Sequence, residues 1–334
     1  MTNYKVVRGG AQPPVNHKSY PAEQTSNTVE KSFDDLLEYL CNSDETVRHY
    51  AFGELPARLN HELAHFTLGK LSSNSCPSTS KSVFQLTNGA EAPVSISVDF
   101  HDWPQALHKG FPVEKRNEVK AIFRTWKSLF YFLYHSDGQG TQDKYIDTIC
   151  EIDKVVPELR TSGVHAVWTL AAWYYLSIKW PQLDQWRLDK FLYLARKLLE
   201  STIRNHESAF VNELLMNFYA YSENKALGLH IIDVFLEASI RSPPINSVKF
   251  HDLLTGLFFK IIGADKQERF HRRVKQWIID PIVQGKVKSE SILSSIPMIL
   301  QTISQWKSSA DLNALHRHML HEYQQILGNI TLEL

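Results

Sequence analysis

The chain has 334 residues, 43% of them apolar, enough to enclose a sizeable core and to exclude disorder over its whole length. Lys plus Arg and Asp plus Glu each total 36, so the net charge is zero and no chain-wide field draws the protein to nucleic acid or membrane. Three scattered cysteines, Cys41, Cys76 and Cys150, exclude a disulfide framework and point to a reducing compartment. The opening MTNYKVVRGG has no apolar segment of a leader, and no run approaches the roughly 18 apolar residues of a membrane span. A soluble intracellular protein is the expectation.

Residues 1–28 mix Gly, Pro, Ser and Asn without periodicity and read as a disordered tail. Everything from 29 to 334 reads as a single helical-repeat domain. Ser32 with Asp35 three residues on resembles a capping box, and Phe33, Leu36, Leu37 and Leu40 then share one apolar face. A second start at Ser43 leads into Val47, Tyr50, Ala51 and Leu55, followed beyond Pro56 by Leu59, Leu63 and Phe66, which predicts a kinked or broken helix pair. Between about 72 and 112 the texture changes. Val94, Ile96, Val98 and Phe100 alternate with polar residues after Asn88-Gly89, so a small irregular or β-hairpin insertion is expected there.

From 113 onward helical periodicity predicts segments near 113–136, 142–155, 162–179, 185–203, 208–222, 228–240, 246–263, 266–284, 288–306 and 310–327. Turn letters separate them at Asp137-Gly138, Pro181, Ser242-Pro243-Pro244 and Gly263. Helices in series joined by short turns predict an all-α array of antiparallel helix pairs, a HEAT-like α-solenoid. The hairpin over 163–199 is its most aromatic part. Trp168, Ala171, Ala172, Tyr175 and Trp180 on one side of Pro181, and Trp186, Phe191, Leu194, Leu198 and Leu199 on the other, read as core. Arg187, Asp189 and Lys190 open the second helix among those aromatics, where a charge needs a partner.

Three polar constellations stand out. His61-Glu62-Leu63-Ala64-His65 spells H-E-x-x-H, which on a helix places two imidazoles on one face for zinc with Glu62 as general base. Its metzincin continuation is missing, since Leu68 and Leu71 stand where Gly and a third His belong, and two histidines on a solvated face are the simpler account. His316, His318 and His321 do not share one helix face, so surface histidines are expected and no metal site. Lys266, Arg269, Arg272, Arg273 and Lys275 form a basic run. Lys266, Arg269, Arg273 and Gln276 fall on one helix face with Phe270, Val274 and Trp277 or Ile278 turned inward, which offers phosphate or an acidic partner a contact. No G-x-S-x-G or P-loop occurs, so no catalytic residue and no cofactor are assigned.

Three stretches in order carry a resemblance: Trp126-Lys127-Ser128-Leu129-Phe130-Tyr131 running to Asp137, Asp184-Gln185-Trp186-Arg187-Leu188-Asp189-Lys190-Phe191, and Gly228-Leu229-His230-Ile231-Ile232-Asp233 running to Glu237. They are similar to motifs of the eukaryotic nucleolar family founded on ribosomal RNA processing protein one, over roughly 33–60 and 113–240, while 66–112 has no counterpart in it. The resemblance implies a nucleolar, non-enzymatic scaffold in large-subunit pre-ribosomes that supports pre-rRNA processing by docking assembly factors and pre-rRNA, with no membrane and no small-molecule substrate. A zinc-dependent hydrolase using His61, Glu62 and His65, and a helical interaction module outside ribosome assembly, are the alternatives. Beside that, Arg187, Asp189 and Lys190 are expected to pair with Asp137 or Lys127 in a network that fixes how two helices dock.

Overall fold

The computed structural model describes residues 32–64, 66, 70–73, 82–87, 94–98, 111, 113–160, 162–221, 225–241, 245–259, 268–308 and 312–330. The tail expected over 1–28 lies outside the described residues. The fold opens with α1 (Phe33–Leu40), whose Leu36, Leu37 and Leu40 are buried, and α2 (Glu45–Leu63), whose first turn is capped by Asp44 accepting the Thr46 N–H at 2.8 Å. Of the kinked or broken pair expected, the break does not occur: one helix runs through Pro56. Proline removes one N–H, but Leu55 before it and Leu59 and Leu63 after it are all buried on one stripe, so packing holds both halves in helical conformation.

The expected hairpin pairs β2 (Ser82–Thr87) with β3 (Val94–Val98), Phe84 opposite Ile96. A strand that alternation does not announce, β1 (Lys70–Ser73), adds to β2 with Ser72 opposite Gln85, giving an antiparallel sheet in the order β1-β2-β3. Asn88 and Gly89 lie outside the described residues.

The helical series resumes with α3 (Arg116–His135), α4 (Gln139–Cys150), α5 (Ser162–Lys179), α6 (Gln185–Asn205), α7 (Ser208–Tyr221) and α8 (Lys225–Arg241). It continues through α9 (Ser247–Leu253), α10 (Arg269–Val274), α11 (Glu290–Leu293), α12 (Ile296–Lys307) and α13 (Ala314–Ile330). Gly138, at φ 83°, makes the left-handed turn between α3 and α4. Two wide turns break the regular pitch, π-helical Leu254–Phe259 after α9 and Lys275–Ile279 after α10. Each inserts a residue and so changes the rotational phase of the adjoining backbone.

Packing follows a two-layer rule. α1 packs on α3 and α3 on α5, while α4 packs on α6, α6 on α8 and α8 on α10. Consecutive helices bridge the layers, and β1 runs against both α5 and α7. The result is the all-α array of helix pairs that periodicity announces, with the small β insertion set into it. Aromatics knit the array within and between layers: Trp126 of α3 meets Trp168 of α5 at 5.0 Å between centroids, while Phe130 of α3 stacks on Phe191 of α6 at 4.7 Å and Phe52 of α2 on Phe132 of α3 at 4.7 Å. The buried Trp173 donates its indole N–H to Thr202 at 2.9 Å, which satisfies its one polar atom. Trp186 does not join this core; it is 93% exposed. It stands in the first turn of α6, one position before Arg187 and so about 100° round the helix from the inward row of Arg187, Phe191, Leu194 and Leu198.

Candidate functional site

A dense polar constellation lies where α3 ends. The last carbonyls of a helix have no intrahelical donor and form its negative pole, so they attract cations. Here three cations arrive from two helices. Arg48 of α2 donates from Nη2 to His135 O at 3.0 Å, Arg187 of α6 donates from Nε to Tyr134 O at 3.0 Å, and Lys190 donates to Tyr134 O at 3.2 Å and Ser136 O at 2.8 Å. Gln142 of α4 adds an amide N–H to Ser136 O at 2.6 Å. The guanidinium of Arg187 also lies 4.1 Å from the ring centroid of Tyr134 and ion-pairs with Asp184, which caps α6 by accepting the Arg187 N–H at 3.0 Å.

This crowding sets the electrostatics. Burial, reinforced by the Arg187 charge and opposed by Asp137 and Asp184, lowers the Lys190 ammonium to about 8. Burial and the neighbouring Arg48, Arg187 and Lys190 lower the His135 imidazole.

The partners differ from those expected. Arg187 and Lys190 bind main-chain carbonyls, with Asp184 as the bonded carboxylate, instead of Asp137 or Lys127. Asp137 is exposed and acts on Lys190 only through space. Lys127 is exposed about two turns back along α3, lining a groove of about 310 Å³ with Asp34, Glu38, Cys41 and Arg124. Asp189 is exposed and faces a separate cleft beside Trp186. Sequence reasoning misses Arg48 and Gln142 as donors. Arg48 has a legible signal, because 48, 51, 55 and 59 form the buried row of α2, and a buried arginine in an apolar row requires acceptors.

Two members of the basic run are engaged in ion pairs. Arg273 binds both oxygens of Asp233 on α8, at 3.2 and 3.1 Å, and Lys275 stands 3.6 Å from both Asp280 and Glu322. The buried His271 hydrogen-bonds the Tyr323 hydroxyl at 2.7 Å and meets Glu322 at 3.3 Å. Acidic residues on α8 and α13 face this helix, which the spacing within the run does not reveal. Arg269 and Arg272 are exposed, Trp277 is 41% exposed while Ile278 is buried, and Lys266 lies outside the described residues.

His61 and Glu62 are exposed on the last turn of α2, which ends at Leu63. His65 itself lies outside the described residues, and among those described no three His, Cys, Asp or Glu side chains gather as a metal site. A buried imidazole pair, His165 Nδ1 to His206 Nε2 at 2.9 Å, is completed by Thr169 and by Asn205, whose amide reaches His165 Nε2 at 3.1 Å. Burial pushes both imidazoles down, His165 to about 4, and pushes the Cys150 thiol up. These groups are held neutral inside the core.

The chain was compared with known proteins. It is 26% identical over 127 residues to human ribosomal RNA processing protein 1 homolog A, covering 35% of this chain and 27% of that protein. It is 23% identical over 204 residues to the Dictyostelium discoideum ribosomal RNA processing protein 1 homolog, covering 51% and 40%. With human homolog B it shares 24% over 185 residues, covering 52% and 21%. The chain therefore spans under half the length of these curated relatives. The profile of the family described as nucleolar protein Nop52 matches residues 113–320, from the start of α3 into α13. With that match over more than half its length, the chain belongs to the Nop52 family of nucleolar proteins.

Proposed function

We propose that this protein is a non-enzymatic scaffold of nucleolar large-subunit pre-ribosomes, supporting pre-rRNA processing by docking other assembly factors and pre-rRNA. Family membership and the names of its relatives support the setting. One observation carries the scaffold reading. The polar constellation of Arg48, Arg187 and Lys190 on the end of α3 is spent on fixing one helix against two others. Most of the bonds it makes go to main-chain oxygens, with Asp184 as the one carboxylate partner, which suits fixing helices against one another. A two-layer helix array offers long faces to partners, and the exposed residues Arg269 and Arg272 would supply contacts to phosphate.

Depletion tests the reading. Loss of the protein is expected to accumulate unprocessed large-subunit precursor RNA, restored by the wild-type chain; normal processing without it would contradict the proposal.

A further inference from the structure

Among the described residues Trp186 is the most exposed large apolar side chain, 93% in solvent at the start of a helix whose other aromatics are half-buried or buried. Burying an indole removes roughly 150–250 Å² from water, so one held out beside a cleft is a ready surface for a partner. It borders a cleft of about 300 Å³ lined by Gln142 and Asp143 of α4 and by Trp186, Asp189, Lys190 and Tyr193 of α6. Positions 186, 189, 190 and 193 are one helix face, and Asp143 looks onto it from the neighbouring helix.

The chemistry of the cleft is cation-seeking. Lys190 lines it, but its ammonium is turned to the Tyr134 and Ser136 oxygens, and the Tyr193 hydroxyl donates to Asp147 at 3.0 Å. Asp143 and Asp189 form no hydrogen bond or ion pair among the described residues, so two carboxylates and an indole face remain available. Unpaired carboxylates repel phosphate, which disfavours RNA. A guanidinium satisfies both features at once, lying flat on the indole while its N–H fork meets carboxylate oxygens; a lysine ammonium lacks the planar fork.

We propose that the Trp186 cleft docks an arginine-bearing basic segment of a partner protein, its guanidinium stacked on Trp186 and paired with Asp189 and Asp143. This gives the scaffold a partner chemistry, yet it rests on the cleft alone, so its failure leaves the depletion result untouched.

The test uses the full chain and an acetylated, amidated Gly-Arg-Gly-Arg-Gly peptide at low ionic strength, with the indole N–H resonance of Trp186 identified by its loss in Trp186→Ala. A saturable shift is expected, with binding weakened about tenfold or more in Asp143→Asn/Asp189→Asn and in Trp186→Ala, the latter followed by anisotropy of labelled peptide. The exposed positions of Trp186 and Asp189 make loss of folding an unsuitable explanation, and thermal midpoints of the variants verify it. No saturable shift, binding unchanged by the carboxylate substitutions, or an equal shift with oligouridylate would overturn the proposal. So would a wild-type dimer that Trp186→Ala dissociates, which would assign the cleft to a second copy.

Discussion

Arg187 reaches from the first turn of α6 to the carbonyl oxygen of Tyr134, at 3.0 Å from Nε, while its guanidinium lies over the ring of that same residue at 4.1 Å. Lys190, one turn on, closes the same helix end from inside. Lys190→Met keeps the stem and removes the donor to both the Tyr134 and Ser136 oxygens. It should cost about 1–3 kcal/mol in urea unfolding, since buried acceptors lose their partner. Arg187→Ala should cost less, because that side chain is about a third exposed, and Arg187→Lys should recover only part.

The same lysine predicts an alkaline signature. Its folded value of about 8 lies below the ordinary 10.5, so the unfolded chain holds this proton more tightly. The folded state is therefore penalised below about pH 8, and the penalty is relieved as pH rises from about 8 towards 10.5. Unfolding free energies of wild type and Lys190→Met compared at pH 7 and pH 9.5 should show the wild type gaining on the variant. A constant gap would contradict the burial of a charged ammonium.

Apolar spacing locates the helices of both layers because burial acts on side chains, and the row of Phe191, Leu194 and Leu198 is visible in the sequence itself. The acceptors of Arg187 and Lys190 are main-chain oxygens, which have no letter, so the sequence offers Asp137 and Lys127 in their place. Spacing alone groups Trp186 with the core because a first-turn residue can be assigned to either face until the partner helix fixes the phase. The Arg273 and Lys275 ion pairs depend on Asp233 and Glu322, some 40 residues upstream and 50 downstream, a placement that local periodicity does not carry.

Acid should unfold the protein through the imidazole pair. His165 and His206 are both held below the ordinary histidine value, His165 at about 4, so the unfolded chain binds more protons across this window. Their contribution is complete above about pH 6.5 and is lost as pH falls towards 4. Urea midpoints between pH 7.5 and pH 5 should fall for the wild type and fall less steeply for His206→Gln. Parallel slopes would place the acid response elsewhere.

Gly256 lies in the π-helical turn, where a Cβ would collide with the Asn212 amide, and that amide is anchored to Asp252 O at 3.0 Å. Gly256→Ala should therefore cost about 1–3 kcal/mol. Asn212→Ala alone loses one hydrogen bond, but the double substitution should cost less than the sum of the two, because the clash disappears with the amide. Additive losses in a double-mutant cycle would show that the amide swings away freely.

The scaffold claim is tested most directly by sedimentation of the tagged, full-length protein from nuclear extract on a sucrose gradient, with the RNA of each fraction probed. The account predicts that the protein travels with particles containing large-subunit precursor RNA and leaves them when the RNA is digested. Protein confined to the top of the gradient, free of precursor RNA, would contradict it.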